Sequence, residues 1–136
     1  ILRLPEDAKE KFVKMHENGA EIIYICLYEN PFYDEGRTPS SDEAIAAYAR
    51  YCAYMAKELK GIVKYFEIWN EYNEPYFNPS NEPPETYVKM LKAAYQAIKQ
   101  VNPDAIVIGC DTADIDHEWT AKPCTNRDRW KAYEWS

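Results

Sequence analysis

The residues best suited to chemistry stand together at the end of an apolar run: Asn70 and Glu71, followed by Tyr72, Asn73 and Glu74. An amide beside a carboxylate joins hydrogen bonding to proton transfer. A carboxylic acid that donates a proton near neutral pH needs a partly apolar setting that raises its pKa, and Phe66, Trp69 and Tyr72 are close enough in sequence to supply one. Glu71 is therefore the leading candidate acid. Glu74, three residues further out, is expected to be solvated, and Glu67 to be an interior carboxylate held by hydrogen bonds. An Asn-Glu pair alone is a weak signal, so its weight depends on the element that delivers it.

Other chemistries find little support. The four cysteines, Cys26, Cys52, Cys110 and Cys124, form no CxxC pair, and the two histidines, His16 and His117, lie far apart. Metal binding, dithiol redox chemistry and Ser-His catalysis are not indicated. Cys26 and Cys110 fall in apparent strands and Cys52 on an apolar helix stripe, so buried free thiols are expected. Asp111 and Thr112 follow a third strand, where they either reach a ligand or serve as ordinary turn residues.

The element behind Glu71 is the run Lys64 to Trp69, rich in aromatic and branched residues and followed by Asn and Pro punctuation, which reads as a strand and its exit loop. Two similar runs flank it. Glu21 to Tyr28 is apolar nearly throughout and reads as a strand buried on both faces; Ala105 to Cys110 is the third. The starts Glu21, Val63 and Ala105 are evenly spaced, so the chain repeats a strand, loop, helix unit.

The helices carry their own marks. Pro5 to Asn18 has Glu6 and Asp7 in its first turn, apolar residues at Ala8, Phe12 and Met15 with His16 less clearly so, and Gly19 beyond its end. A second helix is expected after Ser40, read as the cap of a capping box completed by Glu43, with a stripe at Ile45, Tyr48, Ala49, Cys52, Met55, Ala56 and Leu59 before Gly61. The third starts at Pro84, buries Tyr87, Leu91, Ala94, Tyr95 and Ile98, and stops at Asn102-Pro103. The polar loops, from Glu29 to Ser41 and from Tyr72 to Pro83, follow strands, while the returns from helix to strand are short.

Buried strands with helical crossovers make a parallel sheet, and function on the loops after the strands is the pattern of a (β/α) barrel. A doubly wound open sheet is the rival architecture, but no GxGxxG or Walker loop is present and no cofactor is implied. The expected fold class is α/β, a partial (β/α)8 TIM barrel of about three strand-helix units. A full barrel takes roughly 250 residues, so the 136 residues read as a fragment with open sheet edges.

Charge and composition narrow the ligands. A net charge of -7 disfavours nucleic acid and anionic membrane surfaces as partners, since phosphate binding depends on clustered Lys and Arg. Aromatic residues make up 15% of the chain, which is either ordinary packing or a supply of rings for stacking on sugar faces. No apolar stretch approaches the roughly twenty residues of a membrane span, and residues 1 to 20 are too charged for a signal peptide. Localisation is left open between secreted and cytoplasmic, because a chain opening on Ile1 is expected to begin inside a longer product.

Phe66-Glu67-Ile68-Trp69-Asn70-Glu71 resembles the fourth-strand motif of clan A glycoside hydrolases, the retaining (β/α)8 enzymes, with the nearest likeness to cellulase-like and family 39 xylosidase-like members. The strand ending Leu27-Tyr28 with its Asn30-Pro31-Phe32-Tyr33-Asp34 loop and the segment from Tyr87 to Gly109 support it, over residues 5 to 115. The resemblance implies a segment from the second helix to the fifth strand of such a barrel, with residues 1 to 115 in the catalytic domain; the periodicity fails after Asp114, so residues 116 to 136 are expected to form an irregular tail. It implies Glu71 as general acid/base and Asn70 as the amide that bonds the sugar hydroxyl beside the reacting carbon. Tyr72, Asn73, Tyr28 and Asn30 are further expected substrate contacts, with a carbohydrate as substrate and the rest of the barrel as a partner.

The family places its nucleophile at the end of the seventh strand, which this chain does not reach. One departure is local: Tyr72 stands where many members have Pro, which alters the expected loop path without displacing the acid. Two alternatives stay open at the level of sequence. One is a non-catalytic carbohydrate-binding or interaction protein on a partial barrel; the other is a different barrel enzyme in which Glu71 is an ordinary base.

Overall fold

The computed structural model describes residues 4–27 and 29–113, so Tyr28, His117, Cys124 and the expected tail of residues 116 to 136 lie outside the described residues. Three helices and three strands alternate: α1 (Glu6–Glu17), β1 (Ile23–Cys26), α2 (Asp42–Glu58), β2 (Tyr65–Ile68), α3 (Pro84–Val101) and β3 (Ile106–Gly109). A short 3-10 turn at Asp34–Gly36 interrupts the loop before α2. No helix among the described residues is long and apolar enough to cross a membrane.

The strands form one parallel sheet in the order β1-β2-β3. Ile23 stands beside Tyr65 and Tyr65 beside Ile106, so the three strands run without stagger and their exits come out together. Strands adjacent in sequence are adjacent in space, which is the order a barrel requires.

The helices cover one face of this sheet. Cys26, Phe66 and Ile68 join Tyr48, Cys52, Met55, Leu59, Tyr87, Met90 and Ile98 in a single buried cluster. Two hydrogen bonds from phenols tie β1 to α2: Tyr48 donates to the Cys26 carbonyl at 2.6 Å, and the Tyr24 and Tyr51 hydroxyls lie 2.9 Å apart. The Asn102 side chain donates to the Ala56 carbonyl at 3.2 Å, joining the end of α3 to α2. The Cys26 thiol is pushed up by its contact with the Cys52 thiol and then by burial, so both behave as core groups.

The other face is open, which corrects the expectation of strands buried on both sides. Ile23 is 56% exposed and Ile106 is 40% exposed, while Tyr65 and Glu67 beside them are half-buried. A sequence apolar on both faces marks a strand of the kind found inside closed structures, and among the described residues nothing covers the second face.

Several boundaries also move. The α2 cap is Ser41 rather than Ser40, its hydroxyl accepting from the Ala44 amide at 3.1 Å, so Glu43 closes no capping box. All seven stripe residues expected on α2 are buried. On α3 the buried set includes Met90, whereas Tyr95 is exposed and Leu91 only partly covered. The expected stripe on α1 buries none of its residues, and Met15 is exposed. Its C-terminus is well formed, with Gly19 at φ +84, its N–H on the His16 carbonyl and the Ala20 N–H on that of Met15, the pairing of a Schellman motif. Cys110 comes just after β3 rather than within it and is half-buried.

Candidate active site

The exit of β2 is built by a break in strand alternation. Phe66 and Ile68 face the helices and Glu67 the open side, as a two-residue period demands. An extended Trp69 would fall on the open side. Its φ of +66 instead turns the chain, and the indole packs against the helices, its ring centre 5.6 Å from that of Tyr48. The Trp69 Nε1–H donates to the Phe77 carbonyl at 2.7 Å, and its backbone N–H reaches the Cys26 carbonyl at 3.3 Å. Glu71 is a second non-glycine residue at positive φ, +34. Such conformations cost of order 1–3 kcal/mol each and persist only where the surroundings hold them.

Glu71 is half-buried, and among the described residues its carboxylate makes no hydrogen bond or ion pair. Its carbonyl accepts the Glu74 N–H at 2.7 Å, closing a turn. Asn70 beside it is half-buried, and no hydrogen bond holds its side-chain amide among the described residues. The pair thus leaves the strand with both functional groups available. Glu74 is half-buried, and its carbonyl accepts from Phe77 and Asn78.

Tyr72 and Asn73 are placed otherwise than expected. Tyr72 is wholly buried, its ring centre 6.5 Å from that of Trp69 and 5.0 Å from that of Tyr87, on the helix side. Burial pushes its phenol well above the usual range, with the charges of Glu82 and Cys110 adding to the rise. Asn73 is 7% exposed and spends its amide on backbone: Nδ2 donates to the Ala113 carbonyl at 3.0 Å, and Oδ1 accepts from the Ala113 N–H at 2.9 Å. Phe66, Trp69 and Tyr72, read as an apolar setting for Glu71, are core residues. Strand alternation turns Phe66 inward, and the turn at Trp69 does the same for Trp69 and Tyr72.

Glu67 projects from the open face in register with Ile25 and Ile108. Burial lifts its carboxyl above the ordinary carboxylate range, against the lowering effect of a hydrogen bond from the Asp111 N–H, and the Asp111 charge adds to the rise. Asp111 and Thr112 are exposed at the β3 exit.

Asn30 sits on the neighbouring exit. It is a turn residue, its Oδ1 accepting from the Phe32 N–H at 3.0 Å and its carbonyl from the Tyr33 N–H at 2.9 Å. It lines a cavity of about 580 Å³ between this loop and α2, with Phe32, Tyr33, Tyr48, Tyr51 and Arg50 among its walls. Neither Asn70 nor Glu71 lines that space. The cavity therefore does not mark the candidate acid, whose assignment rests on strand position. Tyr28 lies outside the described residues.

One polar role escaped the sequence. Tyr87, expected only in an apolar stripe, donates its hydroxyl to the Ile68 carbonyl at 3.0 Å and accepts the Cys110 N–H at 2.6 Å. A buried tyrosine needs a partner for its hydroxyl, so a Tyr rather than a Phe at this helix position was the available signal.

No family model and no curated protein matches the chain. Among solved structures it is similar to a family 39 glycoside hydrolase from the gut symbiont Bacteroides cellulosilyticus WH2, at 25% identity and a TM-score of 0.65. The match covers 80% of this chain and 22% of that one, so the chain spans under a quarter of the length of the structure it resembles. The fold is a partial α/β barrel of the (β/α)8 type, and its likeness is to a glycoside hydrolase.

Proposed function

We propose that this chain is a segment of a retaining glycoside hydrolase that cleaves β-linked O-glycosidic bonds in oligo- or polysaccharides, with Glu71 as the general acid/base. The observation that carries the reading is the position of Glu71, half-buried just past the carboxyl end of the middle strand of a sequential parallel sheet, where barrels present their reactive groups. The likeness to a family 39 glycoside hydrolase supports it.

In this mechanism the Glu71 carboxyl protonates the glycosidic oxygen as a second carboxylate, roughly 5 Å away, attacks the anomeric carbon. The leaving sugar departs as an alcohol and a covalent glycosyl ester remains. Glu71, now ionised, takes a proton from water as that water attacks the anomeric carbon and breaks its bond to the second carboxylate, which is freed. Asn70 bonds the hydroxyl next to the reacting carbon. The second carboxylate is assigned to another part of the barrel, which makes the rest of the barrel this segment's partner. The 136-residue chain by itself is accordingly expected to hydrolyse no glycoside.

The test is Glu71→Gln in the intact barrel. Hydrolysis of glycosides with poor leaving groups should fall about 10²–10⁴-fold, while cleavage of the aryl bond in activated aryl glycosides, which need little protonation, should fall far less. Equal loss on both substrates, or none, overturns the role of Glu71.

A further inference from the structure

The segment that follows β3 is tied back to the β2 exit at two residues. The Cys110 N–H goes to the Tyr87 hydroxyl, and the Ala113 N–H and carbonyl to the two ends of the Asn73 amide. Tyr87 also holds the carbonyl of Ile68, immediately before the turned residue Trp69. Asn73 closes the same stretch from its other side. Trp69 and Glu71, both at positive φ, lie between these two anchors. A strained backbone springs back unless both of its ends are fixed.

We propose that Asn73, together with Tyr87, is a positioning residue: it fixes the backbone of Glu71 against the β3 exit and touches no substrate. This rests on the reading of Glu71 as acid/base. The chemistry favours an amide at this place. Asn carries a donor and an acceptor in one plane, so it copies the pairing of a neighbouring strand onto both polar groups of Ala113. An Asp would keep the acceptor but set a charged oxygen against the Ala113 carbonyl. An Ala would leave buried backbone groups without partners.

The experiment compares Asn73→Ala, Asn73→Asp and Tyr87→Phe in the intact barrel by amide hydrogen exchange and by steady-state kinetics. Asn73→Ala should speed exchange at Ala113 by roughly tenfold or more, the expected release of one part-buried hydrogen bond, whereas Asn73→Asp, which keeps the acceptor for that N–H, should change it less. Tyr87→Phe, which keeps the ring, should speed exchange at Cys110 as Asn73→Ala does at Ala113. In all three, kcat on glycosides with poor leaving groups should fall by up to about a hundredfold through misplacement of the acid, with KM nearly unchanged and the acidic and basic limbs of the pH profile displaced.

Unchanged exchange at Ala113 in Asn73→Ala overturns the clamp. A rise in KM at constant kcat overturns it too, because that is the mark of a lost substrate contact. If Asn73→Ala does not fold, Tyr87→Phe carries the exchange reading at Cys110 and Asn73→Asp the kinetic one. Glu71→Gln, run alongside, separates the two proposals: no effect there removes the acid/base reading, whereas the exchange rates at Ala113 and Cys110 still decide whether the clamp exists.

Discussion

The exits of β1 and β2 lie side by side and are held in opposite ways. The loop after β1 is mostly bonded to itself: Asn30 to Phe32, Arg37 to Glu35, and the Asp34 carboxylate to the Ser40 and Ser41 amides at 2.8 and 3.0 Å. Its most apolar tip, Phe32, is 89% exposed. The β2 exit is bonded to everything around it, with β1 through the Trp69 amide, α3 through Tyr87, the β3 exit through Asn73, and α2 through ring packing with Tyr48. A loop held by its neighbours keeps a reactive side chain in one place, whereas a loop held by itself moves as a unit and tolerates exchange.

The largest test of this contrast is Trp69→Ala. It removes a fully buried ring that packs against Tyr48 and Tyr72, together with its hydrogen bond to the Phe77 carbonyl, so a loss of about 3–5 kcal/mol is expected, read as a shift of the urea midpoint. Phe32→Ala on the other loop should stay within about 0.5 kcal/mol of wild type. Comparable losses at the two positions would erase the distinction.

Ser41→Ala should cost about 1 kcal/mol, the usual loss of a helix cap, while Ser40→Ala should leave the melting temperature nearly unmoved. The reverse order would return the cap to Ser40.

The smallest effect concerns Asp34. Slight burial works to raise its carboxyl, but the amides of Ser40 and Ser41, the Ser41 hydroxyl and the Arg37 charge outweigh it and hold the group below the ordinary carboxylate range. A carboxyl with a depressed folded-state pKa stabilises the fold above its unfolded value of about 4 and loses that contribution as the pH falls through the folded value. Asp34→Asn should therefore bring the loop closer to pH-independent stability between about pH 2 and 5, measured by thermal melts across that range. An unchanged slope would show that Asp34 does not brace the loop.

Much of the architecture was legible in the sequence. The three strands sit where apolar runs mark them, and the α2 stripe is the observed core face, because periodicity reports directly on which side of an element is covered. Partners beyond local sequence were not legible. Ser40 and Ser41 are both good cap residues on paper, and the Asp34 carboxylate that takes both of their amides stands six and seven residues away. The open sheet face was misread because Ile23 and Ile106 look the same whether or not anything covers them.

At the candidate site, the apolar run located Asn70 and Glu71 past the end of β2, where they lie, yet direction beyond the strand was out of reach. Tyr72 and Asn73 follow in sequence as plausible contacts, but the positive φ of Trp69 breaks the alternation, and both side chains turn inward. Three-dimensional partners such as Ala113, forty residues on, leave no local trace.

The turn at Trp69 restricts which amino acids position 69 accepts. Its backbone sits where glycine would be comfortable, while its ring fills core volume that only a large aromatic can fill. A smaller residue relieves the backbone and leaves a void; a branched one fills part of the void and clashes with the chain. Two opposing selections meet at a single residue, and drift there is confined to the side chain the chain already carries.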